Sequence, residues 1–537
     1  MPIKRRAAAV TSIAGLVFST LSSANAANLA PTYMLPSNSA VQMKVLATSG
    51  DVLTGSIIKG IPDGMGAMSS SSKGQISLFA NFEHSISNSF VKTQERSNGV
   101  WGASITKFNY SPRLQTLTSA DNDFIQSINF WHYTGAKWVT TPEGAAPAGS
   151  ATGSFGWGLN RFCSAYLAPA DAFSYVESGK TIGYEGGMYM VGEEAGDSSR
   201  AFAFDMEGQG YQFARMGMSS WENVIASTKP GKNTVVLGLE DGSALDSHVK
   251  LYVGQKQTSG NNFERAGLAN GNLYVLNIPG IENDNAFRTK IGKNKSTPVE
   301  FKSVEWNQAV PDFAKAINAA GSEFARVEDG EFDPNNPNVF YFVTTESNKD
   351  PLATAPNPAT PSVSRDGGAL WRMTFKDAQN PLAGASLEML LNGGENIYMS
   401  KPDNLTITKN GVVLIQEDPG NNDHVARVVA YRISDGKLAT VAQFDPKYFV
   451  KGSPQFLTTD EESSGIIDVT SLLAKKNDKN SYFFLNAQVH TSSLLAARPD
   501  IAKRRSATTK ANLNNQGVEG GQFYLMTISD WDSIFRS

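Results

Sequence analysis

The stretch KPDNLTITKNGVVLIQEDPGNNDHVARVVAYRI, Lys401–Ile433, contains the pattern that decides the fold. A short strand opens on a polar residue and turns at T-K-N-G. The apolar strand Val412–Asp418 then ends in acids, and a further strand, Val428–Ile433, follows it. Strand-forming residues separated by Asn and Gly turns are typical of an antiparallel meander.

This pattern recurs along the chain. The strand that ends in acids or amides occurs at Ile76–His84, Met188–Glu194, Thr234–Asp241, Val339–Glu346, Val412–Asp418 and Tyr482–His490. The strand after it occurs at Ala103–Tyr110, Ala201–Asp205, Leu273–Ile278, Leu370–Phe375, Val428–Ile433 and Phe523–Ile528. Six repeats, spaced unevenly by about 60 to 110 residues, predict an all-β, six-bladed β-propeller.

Insertions account for the uneven spacing. We expect loop insertions at Gly144–Gly156 and Asn348–Asp366, and a short helical insertion at Pro311–Phe324. The composition agrees with a folded domain that is not a general nucleic-acid binder, because only 18% of residues are charged and the net charge is −4.

A polar residue opens the strand that begins each repeat. The openings hold Asp63, Cys163, Glu222, Glu328, Asp403 and, in the sixth repeat, Glu461 or Glu462. The first strand of every propeller blade lines the central channel, so these residues should form a ring at one mouth. The next strand runs antiparallel. We therefore expect its far end at the opposite face, unless the connecting loop folds back; this concerns Glu83, Glu193, Glu194, Glu240, Asp241, Glu417 and Asp418.

The ring has a chemical implication. Carboxylates around one axis repel each other unless cations separate them. Calcium prefers carboxylate and carbonyl oxygens, whereas a thiolate such as that of Cys163, the single cysteine, favours a softer ion such as iron or zinc. The sequence therefore predicts a metal cluster in the central channel.

The N-terminal segment has the pattern of a targeting signal. Lys4, Arg5 and Arg6 precede the apolar run Ala7–Leu21, and Ala24-Asn25-Ala26 is a small-x-small cleavage site. We predict a signal peptide at residues 1–26, exported by the general or the twin-arginine route. Residues 27–537 would then form a single catalytic propeller domain without an integral membrane segment.

These motifs resemble the PhoX-type alkaline phosphatases, a family of exported six-bladed propellers. The family's N-H-E-like stretch, repeat-head Cys and acidic pair correspond to Asn81–His84, Cys163 and Glu193-Glu194. Its R-P-E and P-D-G/N-L stretches correspond to Arg326–Glu328 and Pro402–Leu405. Further matches are Trp221-Glu222, Glu240–Gly242, Gln416–Asp418 and Asn486–His490.

The resemblance implies a metal-dependent phosphatase that hydrolyses phosphomonoesters and releases inorganic phosphate with a metal-bound oxygen nucleophile. It implies calcium and iron as cofactors, with Cys163 on iron. The implied metal ligands are Glu83, Cys163, Glu193, Glu194, Glu222, Asp241, Glu328 and Asp403. The implied catalytic residues are Arg326, Glu328 and His490, and the implied substrate-binding residues are Arg326, His490 and Asn486. For Arg326, a structural ion pair with Glu328 or Asp329 is the alternative role.

The chain departs from the family pattern near these residues. Arg161-Phe162-Cys163-Ser164-Ala165 stands where the family often has N-C-A-G-G, and Trp221 replaces the His of a His-Glu pair. Val327 replaces the proline of R-P-E, and Val489 separates Gln488 from His490. The carboxylate, thiol and guanidinium groups are kept, so the departures bear on substrate preference.

Two other classes of function stay open. One is another calcium-dependent propeller hydrolase, acting on a phosphodiester, phytate or a lactone; channels of that kind do not require a thiol, and Cys163 counts against them. The other is a non-catalytic binding propeller, since fold does not decide function. We expect a monomer in the periplasm or outside the cell. Its partners would be a small phosphoester and the export machinery, with no nucleic acid.

Overall fold

The computed structural model describes residues 30–91, 101–140, 158–242, 244–345, 368–420, 424–502 and 506–536. The expected signal peptide at 1–26 and the expected loop insertions at 144–156 and 348–366 lie outside these residues. The predicted helical insertion is present as Val310–Ala320. Among the described residues, no helix has the length and apolar character needed to cross a membrane.

The described strands form six blades, whose strands follow in order from the channel outward. Neighbouring strands of a blade pair antiparallel, except that Ser127–Asn129 is parallel to Gln209–Gln212. Blade 1 contains Pro62–Ser69, Ile76–Phe82, Ser104–Ser111 and Thr116–Asp121, and blade 2 contains Phe162–Ala168, Met188–Glu193, Ala201–Asp205, Gln209–Gln212 and Ser127–Asn129. Blade 3 contains Trp221–Ala226, Asn233–Glu240, Val249–Gln255, Asn272–Asn277 and Thr297–Val304, and blade 4 contains Val327–Phe332, Val339–Thr344, Ala369–Phe375 and Ala385–Leu391. Blade 5 contains Pro402–Ile407, Val412–Glu417, Arg427–Arg432, Leu438–Phe444 and Met34–Pro36, and blade 6 contains Glu461–Asp468, Ser481–Val489, Gly520–Ile528 and Val41–Thr48.

Smaller elements lie in the connections. The short strand pairs are Val52–Leu53 with Ser56–Ile57, Trp101–Gly102 with Gly158–Leu159, Trp131–Tyr133 with Trp138–Thr140, Ser174–Glu177 with Lys180–Gly183, and Ala244–Ser247 with Phe324–Ala325. The remaining α-helices are Asn262–Arg265, Asp284–Lys290, Pro446–Phe449, Thr470–Leu473, Leu494–Ala497, Pro499–Ala502, Ala507–Gly517 and Trp531–Ile534.

The first strands of the blades form a closed ring. Each inner strand lies against the inner strand of the next blade, and that of blade 6 lies against that of blade 1. All six inner strands begin at the repeat openings recognised in the sequence. The predicted six-bladed propeller is therefore confirmed.

The cores lie between neighbouring blades. In blade 1, Leu78 and Ala80 pack with Phe523 of blade 6, whereas Phe79 packs with Phe202 of blade 2. Because the two faces of a second strand are both buried, its sequence is a continuous apolar run rather than an alternating one. This explains why the repeat was visible as a run of apolar residues.

The N-terminal segment closes the ring. Val41–Thr48 forms the outer strand of blade 6 by pairing with Gly520–Ile528, and Met34–Pro36 adds a strand to blade 5. Between these strands, the hydroxyl of Tyr524 accepts hydrogen bonds from the backbone N–H groups of Tyr33 at 3.0 Å and Met34 at 3.1 Å. Tyr524 is fully buried, so its hydroxyl ties the first described segment to the last blade.

Replacing Tyr524 by Phe should weaken this closure. The Met34 N–H would lose its acceptor in a buried place, which lowers the free energy of unfolding by about 1–3 kcal/mol. Urea denaturation measures the change. Tyr482→Phe is the matched control, because that hydroxyl bonds to Asp478 Oδ2 at a partly exposed site. Equal stability of the two variants would contradict the assigned role of Tyr524.

Candidate metal centre

The six blades present their opening residues in one register. The residue before each ring position pairs with the same point of the second strand: Pro62↔Phe82, Phe162↔Glu193, Trp221↔Glu240, Val327↔Thr344, Pro402↔Glu417 and Glu461↔Val489. A β-bulge follows directly in blades 1 to 5. Bulges re-aim side chains, which here places the next residue at the mouth of the channel. Those next residues are Asp63, Cys163, Glu222, Glu328, Asp403 and Glu462.

The expectation that the second strands end at the opposite face is wrong. In an antiparallel pair, the end of the second strand lies beside the start of the first, so both reach the same mouth. Glu83 follows Phe82, the partner of Pro62, and its Oε1 lies 3.3 Å from Cys163 Sγ. Glu83 and Glu194 therefore lie in the cluster with ring residues.

A backbone hydrogen bond fixes this arrangement in five blades. In each, a backbone N–H at the end of the second strand donates to the carbonyl oxygen of the residue two positions before the ring residue. The pairs, with the donor first, are Glu83 and Ile61, Glu194 and Arg161, Thr345 and Arg326, Asp418 and Lys401, and His490 and Asp460. Four of these acceptors have a left-handed backbone: Ile61, Arg161, Arg326 and Lys401, with φ between 43° and 57°. Such a conformation costs a non-glycine residue about 1–3 kcal/mol and is concentrated at functional sites.

Where a second strand ends in two acids, the two have different roles. Glu193 receives two guanidinium nitrogens of Arg200, at 2.7 and 2.5 Å, and Glu417 is held by Arg427 at 2.7 Å in the same way. Glu240 is held by Lys250 at 2.7 Å, and burial alone would raise its pKa, but Lys250 and His248 lower the pKa to about 2. The first acid is thus neutralised inside its blade. The acids that follow are Glu194, Asp241 and Asp418.

The ring and strand-end residues form one connected cluster. The ligand atoms lie within 4.8 Å of one another in each of four overlapping groups. The groups are Asp63–Cys163–Glu222, Glu83–Cys163–Glu194, Asp63–Glu83–Glu462 and Glu222–Glu328–Asp403. Together they bring seven carboxylates and one thiol to the channel mouth.

Several oxygens of the cluster are buried without a hydrogen bond. Among the described residues, no donor bonds to Asp63 Oδ2, Glu222 Oε1 or Asp403 Oδ1. Burial, reinforced by neighbouring carboxylates, raises the pKa of each of these three side chains well above its ordinary value. It also raises the pKa of the Cys163 thiol. Unpaired buried oxygens beside a thiol fit the donor set of a cation site, since bound cations would replace the missing donors.

Two arginines provide positive charge at the cluster. Arg326 Nε and Nη2 donate to the two carboxylate oxygens of Asp241 at 2.8 and 2.6 Å, and Nη2 lies 3.4 Å from Glu328. Arg161 Nη2 lies 3.0 Å from Glu83 and 2.7 Å from Glu194. The structural ion pair anticipated for Arg326 therefore exists with Glu328, but the main partner is Asp241.

His490 lies at the edge of the cluster. Its Nε2 is 3.8 Å from Glu462 and its Nδ1 is 3.3 Å from Glu519. Burial alone would lower the pKa of His490, but these two carboxylates raise it well above its ordinary value. His490, Glu83, Arg161 and Glu462 line a cavity of about 350 Å³ at the mouth.

Most of the residues expected in the site come together, and three do not. Glu193 lies in the ion pair with Arg200 and Asp241 in the ion pair with Arg326, and both are outside the four groups. Asn486 is fully buried, and its amide donates to the carbonyl oxygen of Asp63 at 2.6 Å, so it supports the strand opening. In the sixth blade Glu462, and not Glu461, belongs to the cluster.

The expected ligand set also lacked residues that the structure adds. Asp63 was expected in the ring but not among the ligands, although its position matches that of Cys163. Gln488 Nε2 bonds to Glu83 and Glu462, each at 3.2 Å, and holds the two acids together. Arg161 was also missing from the expected site. Its sequence position could have indicated it, because Arg161 stands two residues before Cys163, as Arg326 stands two residues before Glu328.

The closed ring and its acidic, thiol-containing mouth define a β-propeller with a polar site on its axis. The family model described as Alkaline phosphatase PhoX matches residues 203–470. The structure of Pseudomonas fluorescens PhoX in complex with vanadate, a transition state analogue, is similar with a TM-score of 0.57 and 11% identity, over 93% of this chain and 96% of that one. The structure of a luciferin-regenerating enzyme matches over 87% of this chain and 91% of that one, at 10% identity and a TM-score of only 0.29. None of the curated proteins matches the chain.

The chain belongs to the PhoX family of alkaline phosphatases. The family identifies it as a phosphatase and therefore as a hydrolase. The similarity to the Pseudomonas structure, at 11% identity, supports the propeller fold alone.

Without divalent cations, the protein should be less stable at pH 8 than at pH 6. Burial raises the pKa of Glu194 to about 8 and that of Glu462 to about 7, from an ordinary value of 4.5. Between pH 4.5 and about 8 the folded state therefore binds more protons than the unfolded state, and stability falls as pH rises through that window.

Thermal unfolding in excess chelator at pH 6, 7 and 8 measures this dependence. We expect the Tm to fall by several degrees, and added calcium to remove the fall because cations replace the protons. Glu462→Gln should flatten the profile. A chelated protein with an equal or higher Tm at pH 8 would contradict this account of the cluster.

Proposed function

We propose that the chain hydrolyses phosphomonoesters at the channel mouth, with calcium and iron as cofactors. The observation that carries the proposal is the meeting of Cys163, a set of buried carboxylates and the Arg326 guanidinium at one point of the axis. A phosphate dianion needs a concentration of positive charge, and an alcohol leaving group needs a proton. The cluster has residues suited to both tasks.

The donor set suits a hard and a softer cation side by side. Cys163 would bind iron, together with Glu83, Asp63 or Glu222 from its own groups. Glu328, Asp403 and Glu462 offer oxygens alone, which calcium prefers. When bound, these ions offset the charge of the phosphate and activate water as Lewis acids.

Arg326 would orient the phosphate. A guanidinium has five N–H donors, and the two bonds to Asp241 use two of them, so contact with phosphate oxygens does not require this pair to break. Asp241 also holds the guanidinium plane in place. We assign this positioning role to Asp241. Glu328 would both bind cations and balance part of the charge of Arg326.

His490 would supply the proton. The two flanking carboxylates keep its imidazole protonated near neutral pH, because they raise its pKa. Its side chain lines the mouth cavity and is 28% exposed, so Nε2 can reach a leaving alkoxide. Deprotonated His490 would recover its proton from water. The measurable consequence is a fall in kcat at high pH, where the imidazole loses its proton, and the His490→Gln variant should lack this fall.

The same features favour a monoester over the other candidate substrates. The paired charges of Arg326 and the cation cluster match a dianion, whereas a lactone carries no charge. Phosphodiesters and phytate are included in the hydrolysis assay as alternative substrates, because each contains a phosphate group that Arg326 would bind.

We further propose that the chain is exported as a monomer. The support is the basic, apolar and small-x-small order of residues 1–26, and the single ring that residues 34–528 complete. Residues 27–537 would form the one catalytic domain. Its place would be the periplasm or the outside of the cell.

Hydrolysis of a chromogenic phosphomonoester by the metal-loaded protein tests the proposed activity. We expect turnover that excess chelator abolishes. Arg326→Ala should reduce kcat/KM by about 10²- to 10³-fold, the loss typical when a donor to the transition state is removed. Cys163→Ser should lower both activity and iron content.

Arg432→Ala is the matched control, because Arg432 pairs with Asp435 on the outer part of blade 5. It should hydrolyse the ester at the wild-type rate. A folded, metal-loaded protein that releases phosphate only from a diester or from phytate would replace the monoester assignment. If the folded, metal-loaded protein hydrolyses neither the monoester, the diester nor phytate, the catalytic proposal is refuted.

A further inference from the structure

Arg161 occupies an unusual place for a cation. Its Nη2 bridges two carboxylates that share a group with the Cys163 thiol, at 3.0 Å from Glu83 Oε2 and 2.7 Å from Glu194 Oε2. Two carboxylates so close would otherwise repel each other. The guanidinium thus stands where a divalent cation would be expected to balance them.

The backbone fixes this placement. The Arg161 N–H donates to the carbonyl oxygen of His84 at 3.2 Å, and the Arg161 carbonyl oxygen accepts from the N–H of Glu194 at 2.9 Å. The residue therefore spans the second-strand ends of blades 1 and 2, and it does so with a φ of 44°. The backbone of Arg161 is thus held from both sides in a strained conformation. Its guanidinium, with 41% of the side chain exposed, is held at the cluster by Glu83 and Glu194.

The equivalent position in blade 5 shows that a cation there need not act in this way. Lys401 has the same left-handed backbone, with a φ of 47°. Its ammonium group donates to the carbonyl oxygen of Pro419 at 2.8 Å, away from the four cluster groups. The position alone therefore does not bring a cation into the cluster, whereas the side chain of Arg161 does.

We propose that Arg161 is a built-in cation of the cluster, which takes the place of one divalent ion between Glu83 and Glu194. Glu83 and Glu194 are then committed in part to the guanidinium, and the chain binds one calcium ion fewer than its carboxylates would otherwise hold. This inference rests on the proposed metal-binding role of the cluster. Arg161 is a positioning residue, and its effect is on the number of ions and not on the phosphate.

Calcium counting tests the proposal directly. Metal-stripped wild type, Arg161→Gln and Arg161→Lys are titrated with calcium by calorimetry, and the ions retained after desalting are counted by elemental analysis. We expect Arg161→Gln to bind one calcium ion more per chain than the wild type. Arg161→Lys keeps the charge and should bind the wild-type number.

Lys401→Gln is the matched control, because it removes one positive charge at the equivalent position of another blade. It should leave the calcium number unchanged. Thermal unfolding gives a second measurement: in chelator, Arg161→Gln should melt several degrees below the wild type, and calcium should raise its Tm by more. Equal calcium numbers for Arg161→Gln and the wild type would overturn the proposal.

If Arg161→Gln does not fold, the double variant Arg161→Gln/Glu194→Gln decides. It removes one carboxylate together with the guanidinium, so it should fold and bind the wild-type number of ions. Failure of this variant to fold overturns the proposal as well. A wild-type protein that binds no calcium would instead refute the metal part of the proposed function. If the wild type binds calcium and hydrolyses the ester, an unchanged calcium number in Arg161→Gln refutes the role of Arg161 alone.

Discussion

The mutual repulsion of the carboxylates on the propeller axis is the constraint on which the rest of the site depends. Closing six blades into a ring forces their opening residues to converge, and seven carboxylates and a thiol meet there. Water cannot solvate groups buried this deeply, so their charge must be balanced by protons, by arginines or by metal ions. Each of the three appears in the molecule: raised pKa values at Asp63 and Glu222, guanidinium groups at Arg161 and Arg326, and unpaired oxygens that suit cations.

Local backbone features decide which acids face the axis. The β-bulge after the first residue of an inner strand turns the next side chain toward the mouth, and it recurs in five blades. The strand-end acids are divided by the alternation of side chains along a strand. Glu193 points into its blade and meets Arg200, whereas Glu194 reaches the cluster. The second residue of each inner strand thus has the same place at the channel mouth in every blade, although its side chain is Asp, Glu or Cys in different blades.

The sequence was sufficient for the blade count and for the ring, because both depend on repeated local patterns. The apolar second strands are buried on two faces, and the polar openings recur in register. It was insufficient for the strand ends. Strand direction placed Glu83 and Glu194 at the far face unless a loop folded back, and the family resemblance alone put them among the metal ligands, whereas antiparallel pairing itself returns them to the near mouth. The separation of Glu193 from Glu194, and of Glu462 from Glu461, depends on side-chain direction. That direction depends in turn on partners such as Arg200, which precedes the next strand of the blade and carries no motif of its own.

The outer strand of blade 6 has a consequence for the completion of the site. Val41–Thr48 pairs with Gly520–Ile528, and the inner strands of all six blades lie between these two segments in the sequence. Glu462 and Gln488 stand in the blade that these two segments complete. Pairing between chain ends is slow to form. The axial pocket is therefore complete only when these two distant segments have paired, so the closure of blade 6 also completes the contribution of Glu462 to the site.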